Sequence, residues 1–162
     1  MSGMIKVLFV CLGNICRSPL AEGIFKYKVT RDGLGDKIHV ESAGTSGWHI
    51  GESPDPRSVE IAERNGIFLD SYGRKAVSED FNEFDYILAM DSSNYADLKR
   101  LKNSSTNGAA QLFLMRDFDD IGKGQDVPDP YYGGEDGFSY VFELLDRSCE
   151  NLLETIKKNH DF

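Results

Sequence analysis

Hydrophobic positions along this chain follow two alternating rhythms. Residues 6–11 (KVLFVC) form a short, continuous apolar run that leads to a glycine. Such a run reads as a strand buried on both faces. Residues 19 to about 30 read as a helix, with Leu20, Ala21, Ile24 and Phe25 as its apolar stripe. Ser18 is placed as its N-cap and Pro19 at its first helical position, and Glu22 adds negative charge to the opening turn. Residues 38–42 form a second strand. Residues 56–65 form a helix closed by Gly66. Residues 78–84 form a helical turn, 86–90 (YILAM) a third strand, 92–102 a helix and 111–115 a fourth strand.

The last helix has the plainest pattern. From Phe138, apolar residues recur at Val141, Phe142, Leu145, Cys149, Leu152, Leu153 and Ile156, on one face of a 3.6-residue period. Glu135 and Asp136 near its start and Lys157 and Lys158 near its end suit the helix dipole. Strands alternating with helices predict an α/β domain with a parallel sheet, right-handed crossovers and helices on both faces. Ligands of such sheets bind beyond the carboxyl ends of the strands. That places the chemistry in the loop after the first strand, which begins at Cys11.

Composition narrows the picture. The chain has 162 residues, a length for one domain with a sizeable core. Eighteen Lys and Arg stand against 27 Asp and Glu, a net charge of −9. Nucleic acid is disfavoured as a partner, and any anionic ligand must be held by a local device. No apolar run approaches the roughly 18 residues of a membrane span. The six-residue N-terminal run is too short for a signal peptide. Cys11, Cys16 and Cys149 are the three cysteines, an odd count that points to reduced thiols in the cytoplasm. His39, His49 and His160 are scattered, so neither a metal nor another cofactor is expected.

Residues 11–18 read Cys-Leu-Gly-Asn-Ile-Cys-Arg-Ser. A strand delivers Cys11 and a helix begins where the loop ends. Backbone N–H groups and the helix dipole then converge on an anion. Gly13 and Asn14 tolerate the positive φ that a tight cradle needs. Arg17 offers a planar fork for two phosphoryl oxygens. The same positive field favours the thiolate form of Cys11, a nucleophile held in line with a bound phosphorus. The ATP-type phosphate loop is ruled out, because there is no Gly-Lys-Ser/Thr ending. Cys16, five residues from Cys11 on the same curl, is a redox partner that would stop oxidation at a reversible disulfide. Cys149 lies on the apolar stripe of the last helix and reads as core.

The string VCLGNICRSPLAE, with Cys11-(five residues)-Arg17-Ser18, resembles the low-molecular-weight protein tyrosine phosphatases. The resemblance recurs in DPYYG at 129–133 and WHIGESPDP at 48–56, and runs from about Lys6 to the C-terminal helix. It implies one phosphatase domain over 1–162 with strand order 2-1-3-4. Cys11 would attack phosphorus and become a phosphocysteine. Arg17 would clamp the phosphoryl oxygens, with Leu12, Gly13, Asn14, Ile15, Cys16 and Ser18 completing the phosphate loop. Asp129, flanked by Pro128 and Pro130, would protonate the leaving phenolate and then activate water. Trp48, Tyr131 and Tyr132 would wall a cleft deep enough for a phenol ring but beyond the reach of phosphoserine. Ser42 and Asp91 would support the loop. Substrates would be tyrosine-phosphorylated proteins or peptides, with inorganic phosphate as product and no metal.

The sequence departs from the family at Ser71, three residues before Arg74, where a histidine is common, so the bracing behind the loop is expected to differ. Three other functions are weighed. Arsenate reduction needs relay cysteines, and only Cys149 is available. Phosphoarginine hydrolysis is associated with threonine where Ile15 stands. A silent phosphopeptide-binding module would be expected to lose Cys11 or Asp129. A monomer is expected, with weak self-association through the cleft aromatics left open.

Overall fold

The apolar run at the N-terminus becomes the central strand. In the computed structural model, which describes residues 3–105, 108–132 and 135–162, β1 (Ile5–Cys11) lies between β2 (Ile38–Gly44) and β3 (Tyr86–Ala89). β4 (Gln111–Leu114) pairs with β3 at the edge. All pairings are parallel and the order is β2-β1-β3-β4, as expected. Alternation along β1 explains why it is apolar throughout. Val7, Phe9 and Cys11 enter one core while Leu8 and Val10 enter the other.

The first core lies under α1 (Arg17–Arg31), α2 (Pro56–Arg64) and α5 (Glu135–Asn159). Leu20, Ala21, Ile24 and Phe25 meet Val141, Leu145, Cys149, Leu152 and Ile156 there, so both apolar stripes are buried as the sequence predicts. The second core takes Phe81 from α3 (Asp80–Glu83) and Leu98 from α4 (Ser92–Asn103). No helix among the described residues is long and apolar enough to cross a membrane.

Several boundaries differ from the sequence reading. β2 runs on to Gly44, and β4 stops at Leu114 because Met115–Phe118 tightens into a 3₁₀ turn. The larger correction concerns α1. It begins at Arg17 with Cys16 at the N-cap, and no side chain caps it. Ser18 is not the cap, because its hydroxyl is committed to the loop in front of the helix. Glu22, expected to serve the dipole, is instead a buried partner of β2.

Ion pairs fasten α1 to α5. Lys28 Nζ reaches Asp146 and Glu150 at 2.9 Å each, and Arg31 donates to Glu150 at 3.0 Å. Bonds from Arg31 and Lys28 pull the Glu150 carboxyl down to about 2. Bonds from Arg31, against some burial, and from Lys157 bring Asp32 to about 2. Arg147 holds the fully buried Asp119 well below the ordinary aspartate value. These carboxyls ionise more readily folded than unfolded. Their stabilisation is complete above the unfolded values and vanishes as pH falls through the folded ones. Thermal unfolding followed by circular dichroism should therefore show Tm falling between about pH 4.5 and about 2. A Tm constant or rising over that interval contradicts these pairings.

Candidate active site

β1 ends at Cys11 and α1 begins at Arg17, so five residues must turn the chain through the gap. Asn14 makes the turn with φ of +57°, in the left-handed region. That conformation costs an L-residue about 1–2 kcal/mol, and the Asn14 side chain answers with bonds to three segments. Its Nδ2 donates to Ser18 Oγ at 2.8 Å and to Ser42 Oγ at 3.0 Å. Its Oδ1 accepts the Arg74 backbone N–H at 3.0 Å. Ser42 Oγ in turn donates to Glu22 Oε1 at 2.5 Å, and Glu22 pairs with Lys26 at 2.8 Å. The end of β2 lies close against the loop, since a Cβ on Gly44 would sit 2.8 Å from the Leu12 carbonyl oxygen. Only glycine fits there.

This scaffold sets the surroundings of the sulfur. The Asn14 N–H donates to Cys11 Sγ at 3.3 Å, and Ser18 Oγ lies 3.1 Å from the same atom. Because Asn14 donates into Ser18 Oγ, the Ser18 hydrogen is left to face the sulfur or the Ala43 carbonyl. Cys11 itself is 3% exposed. The first N–H groups of a helix lack intrahelical partners, and with no side-chain cap on α1 they lend their partial positive charge to the loop.

Arg17 is buried and aimed. Its Nη1 donates to Asp91 Oδ2 at 2.7 Å and to the Val127 carbonyl at 2.9 Å. Asp91 also caps α4 through the Asn94 N–H at 2.8 Å, so one carboxylate fixes both a helix and the guanidinium. Burial disfavours the charge on Arg17, yet Cys11, Asp91 and Asp129 together lift its pKa above the ordinary arginine value. Val127 is pinned in turn, donating its N–H to the Met90 carbonyl at 2.7 Å. Asp129, two residues on, brings Oδ2 to 3.8 Å from Arg17 Nη2. Its Oδ1 accepts the Tyr131 N–H at 3.0 Å within the turn Pro130–Tyr132.

Cys11, Leu12, Gly13, Ile15, Cys16, Arg17, Trp48, His49, Asp129 and Tyr131 line one pocket of about 150 Å³. Drug-sized sites run to roughly 300–1,000 Å³, so this one suits a tetrahedral anion carrying a single ring. Trp48 stands at the rim, 73% exposed. The Tyr132 side chain and Gly133 lie outside the described residues.

A family model described as low molecular weight phosphotyrosine protein phosphatase matches residues 6–161. The phosphatase of that name from Schizosaccharomyces pombe is 43% identical over 157 residues, covering 96% of this chain and 99% of its relative. The chain belongs to the low molecular weight phosphotyrosine protein phosphatases. Among solved structures, a protein tyrosine phosphatase from Entamoeba histolytica superposes with a TM-score of 0.89 at 43% identity, over 96% of this chain and 98% of that one. A Drosophila arginine phosphatase superposes with a TM-score of 0.88 at 36% identity, over 94% and 98%.

Within this phosphatase the expected site residues converge, with the division of labour just described. Ser42 and Asp91 stand behind the pocket, one bracing Asn14 and the other Arg17. Cys16 lines the pocket beside Cys11, and both thiols are free. Burial, then the charges of Asp55, Cys11 and Asp129, push the Cys16 thiol far above its ordinary value. Ser71 lines a small cleft with Glu22 and Lys26, so the bracing behind the loop runs from Asn14 through Ser42 and Glu22 to Lys26. Sequence reasoning did not single out His49, Asp55 or Arg57, and took Arg74 only as a marker. The Asp55-Pro56 step was the available signal, an N-cap followed by proline at the first helical position.

Asn14 can be separated into conformation and bonding. Asn14→Ala should weaken inorganic phosphate binding, measured by calorimetry, by about tenfold or more, since φ strain and lost bonds add. Asn14→Gly removes the strain and should fall between alanine and wild type. Wild-type affinity in Asn14→Ala contradicts the bracing role.

Proposed function

We propose that this phosphatase hydrolyses phosphotyrosine and other aryl phosphate monoesters through a phosphocysteine on Cys11. The observation that carries the reading is the placement of Cys11 Sγ beneath the loop, with the Asn14 N–H at 3.3 Å and the Ser18 hydroxyl at 3.1 Å, in a pocket shared with Arg17 and Asp129. Both hydrogen-bond donors favour a sulfur anion. The sulfur attacks phosphorus while loop amides and Arg17 hold the equatorial oxygens, whose charge shifts in the transition state. Arg17 Nη1 is occupied by Asp91 and Val127, which leaves the rest of the fork for the phosphoryl group. Asp129 gives its proton to the departing phenolate oxygen. The resulting carboxylate then takes a proton from water, which breaks the S–P bond and releases inorganic phosphate. Backbone dipoles and Arg17 supply the electrostatics, so no metal is called for. Trp48, Tyr131 and Tyr132 serve as walls for the ring.

The alternatives fare less well. Cys149 is fully buried against the Ala21 carbonyl, a poor setting for the relay that arsenate reduction needs. The Drosophila neighbour acts on arginine by its description, but here Ile15 lines the pocket with hydrocarbon, which favours a phenol over a guanidinium. We place the protein in the cytoplasm as a single-domain monomer acting on tyrosine-phosphorylated proteins.

Turnover of a chromogenic aryl phosphate in excess chelator should persist in wild type. Cys11→Ser should lose it by at least about a thousandfold. Asp129→Ala should lose about a hundredfold or more, most for poor leaving groups. Full activity in Cys11→Ser ends this reading. Cys16 is assigned as the redox partner. Peroxide would oxidise Cys11 to a sulfenic acid, and condensation with the Cys16 thiol would release water and form a disulfide. Thiol reductant should restore peroxide-treated wild type but not Cys16→Ala, and equal recovery in both removes the switch.

A further inference from the structure

We propose that Arg57 is a positioning residue that fixes the aryl-binding wall, an assignment that rests on the phosphatase reading above. Arg57 lies in the first turn of α2, and that turn is tied directly to the phosphate loop. The Asp55 N–H donates to the Ile15 carbonyl at 2.7 Å, and Ser58 Oγ donates to the Cys16 carbonyl at 3.3 Å. Asp55 caps α2 by accepting the Arg57 N–H at 2.8 Å. The Arg57 guanidinium folds back onto the same carboxylate, Nε to Oδ1 and Nη2 to Oδ2, each at 3.1 Å. A two-point bond of this kind fixes the plane of the guanidinium as well as its position.

The fixed plane then meets two rings. Arg57 Cζ lies 5.5 Å from the Tyr131 ring centroid and 4.6 Å from that of Phe138. Both are within the roughly 6 Å of a cation–π contact. Phe138 is buried in α5, whereas Tyr131 is partly exposed and lines the pocket. Arg57 therefore bridges the phosphate loop, through Asp55, to the segment that carries Tyr131 and Asp129. It determines where the Tyr131 ring stands relative to Cys11. The phosphoryl group, held by the loop and Arg17, needs none of this. Arginine alone supplies fork, plane and charge together, so lysine is a partial substitute.

The test compares two ligands that share the anion site and differ by a ring, phenylphosphonate and inorganic phosphate, titrated calorimetrically. Arg57→Leu should weaken phenylphosphonate about fivefold while phosphate stays within about twofold. Arg57→Lys should recover part of the loss. Tyr131→Leu should reproduce it, and the Arg57→Leu/Tyr131→Leu double variant should lose no more than either single one, because both act on one wall. Equal weakening of both ligands would place Arg57 behind the phosphate loop instead and overturn the assignment. So would an unchanged ratio, or additive losses in the double variant. Wild-type turnover of an aryl phosphate reports separately on the phosphatase reading, and the binding ratio decides the role of Arg57 whichever way that turnover falls.

Discussion

Asn14 holds a left-handed backbone angle and, through one side-chain amide, ties α1, β2 and the Arg74 segment to the same point. Those ties give the loop its curvature. The curvature turns the Asn14 N–H toward Cys11 Sγ and leaves Ser18 beside it. Further back, Ser42 passes the constraint to a buried carboxylate, Glu22. A loop shaped this way before any ligand arrives spends little binding free energy on ordering itself. It can then favour the transition state over the ground state.

The charge balance shows why local construction matters. A chain with a net charge of −9 repels anions at long range, so attraction must be concentrated at one spot. The uncapped start of α1 and the buried Arg17 do this together. Arg17 cannot swing away, because Asp91 and the Val127 carbonyl hold one of its nitrogens. Asp91 couples that grip to the start of α4, and Val127 couples it to the strand that ends at Met90 and to the segment leading to Asp129. Acid, clamp and nucleophile thus stand on different elements, yet each is referenced to the same few hydrogen bonds.

Much of this was legible in the sequence because each element carries a local signature. The apolar run at 6–11 announces a strand buried on both faces, and the stripe from Phe138 to Ile156 announces the docking helix. Cys11, Asn14, Arg17 and Ser18 are legible because one short loop contains them all. What escaped was set by contacts between distant segments. Ser18 looked like a helix cap, and only the fold shows its hydroxyl drawn to Cys11 and Asn14. Glu22 looked like dipole compensation until β2 placed Ser42 against it. Arg57 carries no pattern of its own, since its two rings come from residues 131 and 138.

The most direct test is to catch the covalent state. Wild-type protein mixed with an aryl phosphate and quenched within milliseconds into alkaline denaturant should yield a phosphoryl group on the peptide that contains Cys11, read by mass spectrometry. Turnover with no such adduct, or with the phosphoryl group on any other residue, would contradict the account.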